Sequence, residues 1–91
     1  MKFEYDENKS ETNKLKHNID FEEAQKLWLD PFAFELPSLH NEDEERFLVL
    51  GEIDGKNYTA IITYRSNIIR IISVRRSREK ETRLYESIRN G

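Results

Sequence analysis

Arg70 stands among four isoleucines, and an arginine inside an apolar strand must snorkel to water, pair with a carboxylate or bind an anion. Arg75, Arg76 and Arg78 follow at a predicted strand-to-helix junction, beside a helix N-terminus that is itself an anion site. Arg46, next to Glu45, reads either as an ordinary surface charge or as a further phosphate contact. Lys16 and His17 close a predicted helix, where cations offset the negative end of the macrodipole. Histidine is also the side-chain type suited to proton transfer near neutrality, which makes His17 a candidate. Glu81 and Tyr85 lie one helical turn apart, which fits a satisfied hydrogen bond or a base and a donor. Together these residues could grip phosphate and move protons.

Other chemistries find no support. The chain has no cysteine, and its two histidines, His17 and His40, are far apart with no ligand partner at helical spacing, so no metal site is expected. Glycines at 51, 55 and 91 cannot form a phosphate loop, and hydrolase and dinucleotide motifs are absent, so no cofactor is expected. Residues 65–91 carry eight Lys/Arg against three Asp/Glu, or +5, which leaves −8 on the other 64 to reach the net −3. A low overall charge does not argue against a nucleic-acid partner, because binding answers to the local field.

The elements that must position these groups fit one domain over residues 1–91. No stretch has signal-peptide character or the roughly 20 apolar residues of a membrane span, so the expectation is a soluble protein of the reducing cytoplasm with no membrane partner. Alternation over Lys2 to Asp6 predicts a strand, and Glu7 to His17 a polar helix with Leu15 as its only aliphatic residue. Asn18 suits the left-handed residue after that helix. Asp20 and Glu23 make a capping box for a second helix carrying Phe21, Ala24, Leu27 and Trp28, stopped by Pro31. Phe32, Phe34 and Leu36 predict a strand, followed by an acidic, solvated loop from Ser38 to Glu45.

Strands over Arg46 to Ile53, Tyr58 to Tyr64 and Ile68 to Arg75 follow, joined by turns at Asp54-Gly55 and Ser66-Asn67. Ser77 can cap a last helix that runs to about Arg89 and buries Leu84, Tyr85 and Ile88. The fold class is α+β: an antiparallel sheet with two N-terminal helices and one C-terminal helix. Two tight hairpins would set Arg46, Thr63 and Arg70 in one row across the sheet. The other face would hold Phe47, Val49, Ala60, Ile62, Ile69, Ile71 and Ser73. Strict alternation places Arg75 on that second face, and a single bulge would move it across.

The ordered set Glu4, Asp6, Lys9, Asn13, Lys16, His17, Phe21, Ala24, Asp30, Pro31, Glu45 to Phe47, Gly51, the run Arg70 to Arg76, Glu81 and Tyr85 resembles the BrnT family of bacterial type II toxins. Asn18 stands where that family usually has glycine, and Ser77 where it favours alanine. The resemblance implies a RelE-like fold and a metal-independent endoribonuclease acting on messenger RNA. Its partners would be a BrnA-like antitoxin and, through the complex, operator DNA. On that footing Arg46, Arg70 and Arg75 are expected to clamp phosphate, with Arg76, Arg78 and Tyr85 as further RNA contacts. The proton-moving group is expected among His17, Lys16, Glu81 and Tyr85. A binding module that cleaves nothing, or a degenerate toxin kept for its complex, are the competing readings.

Overall fold

The computed structural model describes residues 1–38 and 44–91. His40 and most of the expected acidic loop lie outside the described residues. Helix α1, Glu7–His17, starts where the Asp6 carboxylate accepts the N–H groups of Asn8 and Lys9, and ends at Asn18 with φ 60°, the left-handed residue expected there. The Asp20/Glu23 capping box forms and opens a short helix α2, Phe21–Ala24. The expected longer helix does not continue as α. Residues Gln25–Leu29 tighten into a 3-10 helix just ahead of Pro31, which cannot carry the winding further.

Five strands follow the order β1-β5-β4-β3-β2, with β1 Lys2–Glu4, β2 Phe34–Pro37, β3 Phe47–Ile53, β4 Lys56–Arg65 and β5 Ile68–Arg76. The sheet is mixed and not wholly antiparallel as expected, because β1 pairs parallel to β5 through Lys2↔Ile68 and Glu4↔Arg70. Hairpins force antiparallel pairing only between sequence neighbours, and β1 reaches β5 through all the intervening elements. Both hairpins form. Asp54 and Gly55 take φ 49° and 78°, and Ser66 takes φ 58°.

One face of the sheet builds the core. Val49, Ala60, Ile62, Ile69, Ile71 and Val74 pack against Ile19, Phe21, Ala24 and Leu27. Gly51 permits that approach, since a Cβ there would sit 2.9 Å from Leu27 Cδ2 and 3.3 Å from Ala33 Cβ. Leu50 and Thr59, fully buried on the opposite face, lie under α3, Glu79–Asn90. One line of α3 faces inward: Glu81 reaches Thr59 in β4, Tyr85 reaches Asp30 at the end of the 3-10 helix, and Arg89 reaches Glu52 in β3. Tyr85 is 1% exposed, but Leu84 and Ile88 are 40% and 46% exposed and do not join the core as expected. Ser77 is not the cap either. Arg78 holds that position, and the Ser77 hydroxyl pairs with that of Thr59 instead.

Candidate active site

The strand that carries the arginines is interrupted. Pairing of β4 with β5 follows the expected register from Arg65↔Ile68 to Ile62↔Ile71 and then resumes at Ile61↔Ser73, leaving Ile72 as an extra residue in a β-bulge. This resolves the conflict over Arg75. It pairs with Thr59 and so shares a face with Ser73 and Arg70, four β4 residues or about 13 Å further along. Ser73, expected on the core face, moves across with it. Arg76 pairs with Tyr58 and turns the other way, its guanidinium 5.6 Å from that ring's centroid and its Nε donating to the Asn57 carbonyl. Arg46 lies one residue before β3, half-buried, with its carbonyl accepting the Ser38 N–H. Thr63↔Arg70 gives two members of the expected row, and strand pairing begins just beyond Arg46 at Phe47↔Ile62.

Each arginine of the face has a carboxylate neighbour. Arg70 donates to Glu4 at 2.7 Å, across the parallel pairing with β1. Arg75 makes a two-pronged contact with Glu81, Nη1 to Oε1 at 2.8 Å and Nη2 to Oε2 at 2.9 Å. The Arg75 guanidinium holds the Glu81 carboxyl down at about 2, against the opposing effect of burial and with help from the Arg78 N–H and the Thr59 hydroxyl. At neutral pH Glu81 is therefore a poor proton acceptor. Tyr85 presents no polar atom to the surface. Its hydroxyl donates to Asp30 Oδ2 at 2.6 Å, and burial, then Asp30, pushes its pKa up to about 12. Burial alone would raise the Asp30 carboxyl, but Tyr85 and the N–H groups of Phe32 and Glu52 leave it lowered. This carboxylate takes the Glu52 N–H where β2 no longer flanks β3, so the pair Asp30 and Tyr85 closes the sheet edge.

Lys16 and His17 are exposed at the end of α1, and both line an open cleft of about 430 Å³ with Lys9, Thr12, Asn13 and the bulge residues Ile72 and Ser73. Helix α1 reaches that position without apolar packing. Its buried residues are Ser10 and Asn13, while Leu15 is 88% exposed. Beyond Arg70 the outer edge of β5 has no strand partner among the described residues, and the Asn13 amide takes up its hydrogen bonds. It donates to the Val74 carbonyl at 2.9 Å and accepts the Val74 N–H at 3.2 Å. Ser10 Oγ accepts the Phe21 N–H, tying α1 to α2.

Lys9 and Ser73 were not among the residues expected at the site. Lys9, Thr12, Asn13 and Lys16 form a polar stripe at helical spacing, which was the available signal. Thr59 carried none, because a threonine in a strand is ordinary. Arg78 is exposed at the start of α3, where its N–H donates to Glu81 at 2.8 Å. Among the described residues, no three His, Asp or Glu side chains are grouped as metal ligands.

Compared with known proteins, residues 5–81 match a family model described as the ribonuclease toxin, BrnT, of type II toxin-antitoxin systems. No curated protein matches the chain.

Proposed function

This chain belongs to the BrnT family of ribonuclease toxins of type II toxin-antitoxin systems, and we propose that it cuts messenger RNA in the cytoplasm without a metal ion. The observation that carries this reading is the bulge at Ile72, which sets Arg70, Ser73 and Arg75 on one face beside the cleft of Lys16 and His17. Cutting RNA without a metal requires a base for the 2′-hydroxyl, cations for the crowded phosphorane and an acid for the departing 5′-oxygen. The 2′-oxygen attacks phosphorus and gives its proton to the base. The bond to the 5′-oxygen then breaks, and that oxygen takes a proton, leaving a cyclic phosphate. Arg46, Arg70 and Arg75 supply the cations. His17 leads as the proton-moving group, with Lys16 beside it; Glu81, held by Arg75, and the buried Tyr85 do not compete for that role.

The fold is proposed to be RelE-like, and the partner a BrnA-like antitoxin that covers the arginine face. The resulting complex would bring the pair to operator DNA. Incubating purified protein with RNA in the presence of a chelator tests the activity. The expected result is fragments ending in cyclic phosphate. Arg46→Ala and Arg75→Ala should lose cleavage far more than RNA affinity, whereas a binder that cleaves nothing would lose affinity in proportion to the phosphate contacts removed. Unimpeded bacterial growth while soluble protein accumulates would overturn the toxin activity.

A further inference from the structure

We propose that Glu81 is a positioning residue: anchored by Thr59 and by the first turn of α3, it aims one edge of the Arg75 guanidinium at the phosphate of a bound RNA. The proposal rests on the reading of Arg75 as a phosphate clamp. A guanidinium has five N–H donors in a fixed plane. Glu81 takes two of those on Arg75, and the Arg76 carbonyl, 3.3 Å from Nη1, takes a third. The two that remain, on Nε and Nη2, lie side by side on one edge and have no protein partner among the described residues. That edge matches two oxygens of a phosphate.

The carboxylate itself is held by four donors. Oε1 accepts from Arg75, from the Arg78 N–H at 2.8 Å and from the Thr59 hydroxyl at 3.0 Å, while Oε2 accepts from Arg75. Three donors crowd Oε1 and one meets Oε2, so the lone pair left on the carboxylate is on Oε2, the oxygen that the second Arg75 prong holds. Thr59 is oriented in turn. Its single hydroxyl proton goes to Glu81, so in the 2.8 Å contact between Thr59 and Ser77 the serine must donate. The chain of donation therefore runs from Ser77 to Thr59 to Glu81, where it meets the two bonds donated by Arg75. Ser77, which the family pattern expects to be alanine, extends it by one member.

The test uses an oligoribonucleotide and its uncleavable 2′-deoxy counterpart. Glu81→Gln turns an amide N–H toward Arg75 and breaks one prong. It should lower kcat/KM by about 10- to 100-fold and weaken binding of the 2′-deoxy oligonucleotide by a smaller factor, with the acid limb of the pH profile unmoved. Thr59→Val should do the same to a smaller extent, and Thr59→Ser should restore it, which keeps the test intact if Glu81→Gln fails to fold. In nuclear magnetic resonance the Arg75 Nε–H signal should shift when the 2′-deoxy oligonucleotide binds to the wild type and stay still in Glu81→Gln. Loss of the acid limb in Glu81→Gln would make Glu81 the base and overturn the proposal, as would binding and cleavage that match wild type. If the wild type cleaves nothing while these variants still weaken oligonucleotide binding, the ribonuclease reading fails and the positioning role stands.

Discussion

Arg75→Lys keeps a positive charge opposite Glu81 but cannot hold both carboxylate oxygens and a phosphate edge at once. Cleavage should fall at least about tenfold while the folded state persists, measured by single-turnover kinetics beside circular dichroism. Glu81 also makes the protein acid-sensitive. Its folded pKa of about 2 lies below the ordinary 4.5, so its contribution to stability is complete above 4.5 and is lost as pH falls through 2. The size is about 3 kcal/mol. Urea midpoints between pH 5 and pH 2 should therefore drop more steeply for wild type than for Glu81→Gln. Equal slopes would contradict the pairing. Tyr85 works in the alkaline direction: its pKa is raised from 10.0 to about 12, so its contribution persists below 10 and fades as pH climbs through 12. Single positions were legible to different degrees. Arg70 announced itself by standing in an apolar run, whereas Thr59 gave no sign and Asp30 stood only in the family pattern without a role, because their roles depend on partners 22 and 55 residues away in sequence.

Helix α1 docks through amides and hydroxyls, which explains why its boundaries could be read from caps while its packing could not. The hydrophobic pattern marks elements that bury carbon, and α1 buries Ser10 and Asn13. Asn13→Ala should cost about 2 to 4 kcal/mol, since it strands the buried N–H and carbonyl of Val74 as well as its own contact with Ile19. Leu15→Ala on the same helix should change stability by less than about 0.5 kcal/mol, a contrast that thermal unfolding would expose. The hairpin register was legible from Asp54-Gly55 and Ser66-Asn67, but the bulge was not, because alternation leaves an extra residue undetermined until the sheet must twist. Cross-strand NOEs should join Ile61 to Ser73 and Thr59 to Arg75. Contacts joining Ile61 to Ile72 and Tyr58 to Arg75 would restore unbroken alternation and part Arg75 from Arg70.

Over the whole molecule, residues 65–91 carry +5 against −8 elsewhere, and the fold joins the two portions through Arg65 with Glu44, Arg70 with Glu4 and Arg89 with Glu52. Binding of single-stranded RNA should weaken with salt at a slope of about −0.7 per phosphate contact, or about −2 for three arginines. Each Arg→Ala change at 46, 70 or 75 should flatten it by about 0.7. A slope unchanged by Arg70→Ala would remove that residue from the contact set. The α+β class was legible from the order of elements, whereas the parallel β1–β5 pairing was not, because no local turn encodes it. That pairing governs when the protein becomes dangerous. Arg70 is held by Glu4 across 66 residues and Val74 by Asn13 across 61, so the early part of the chain has nothing to close upon until β5 has been made. A nascent chain thus cannot bring the arginine face together for most of its synthesis.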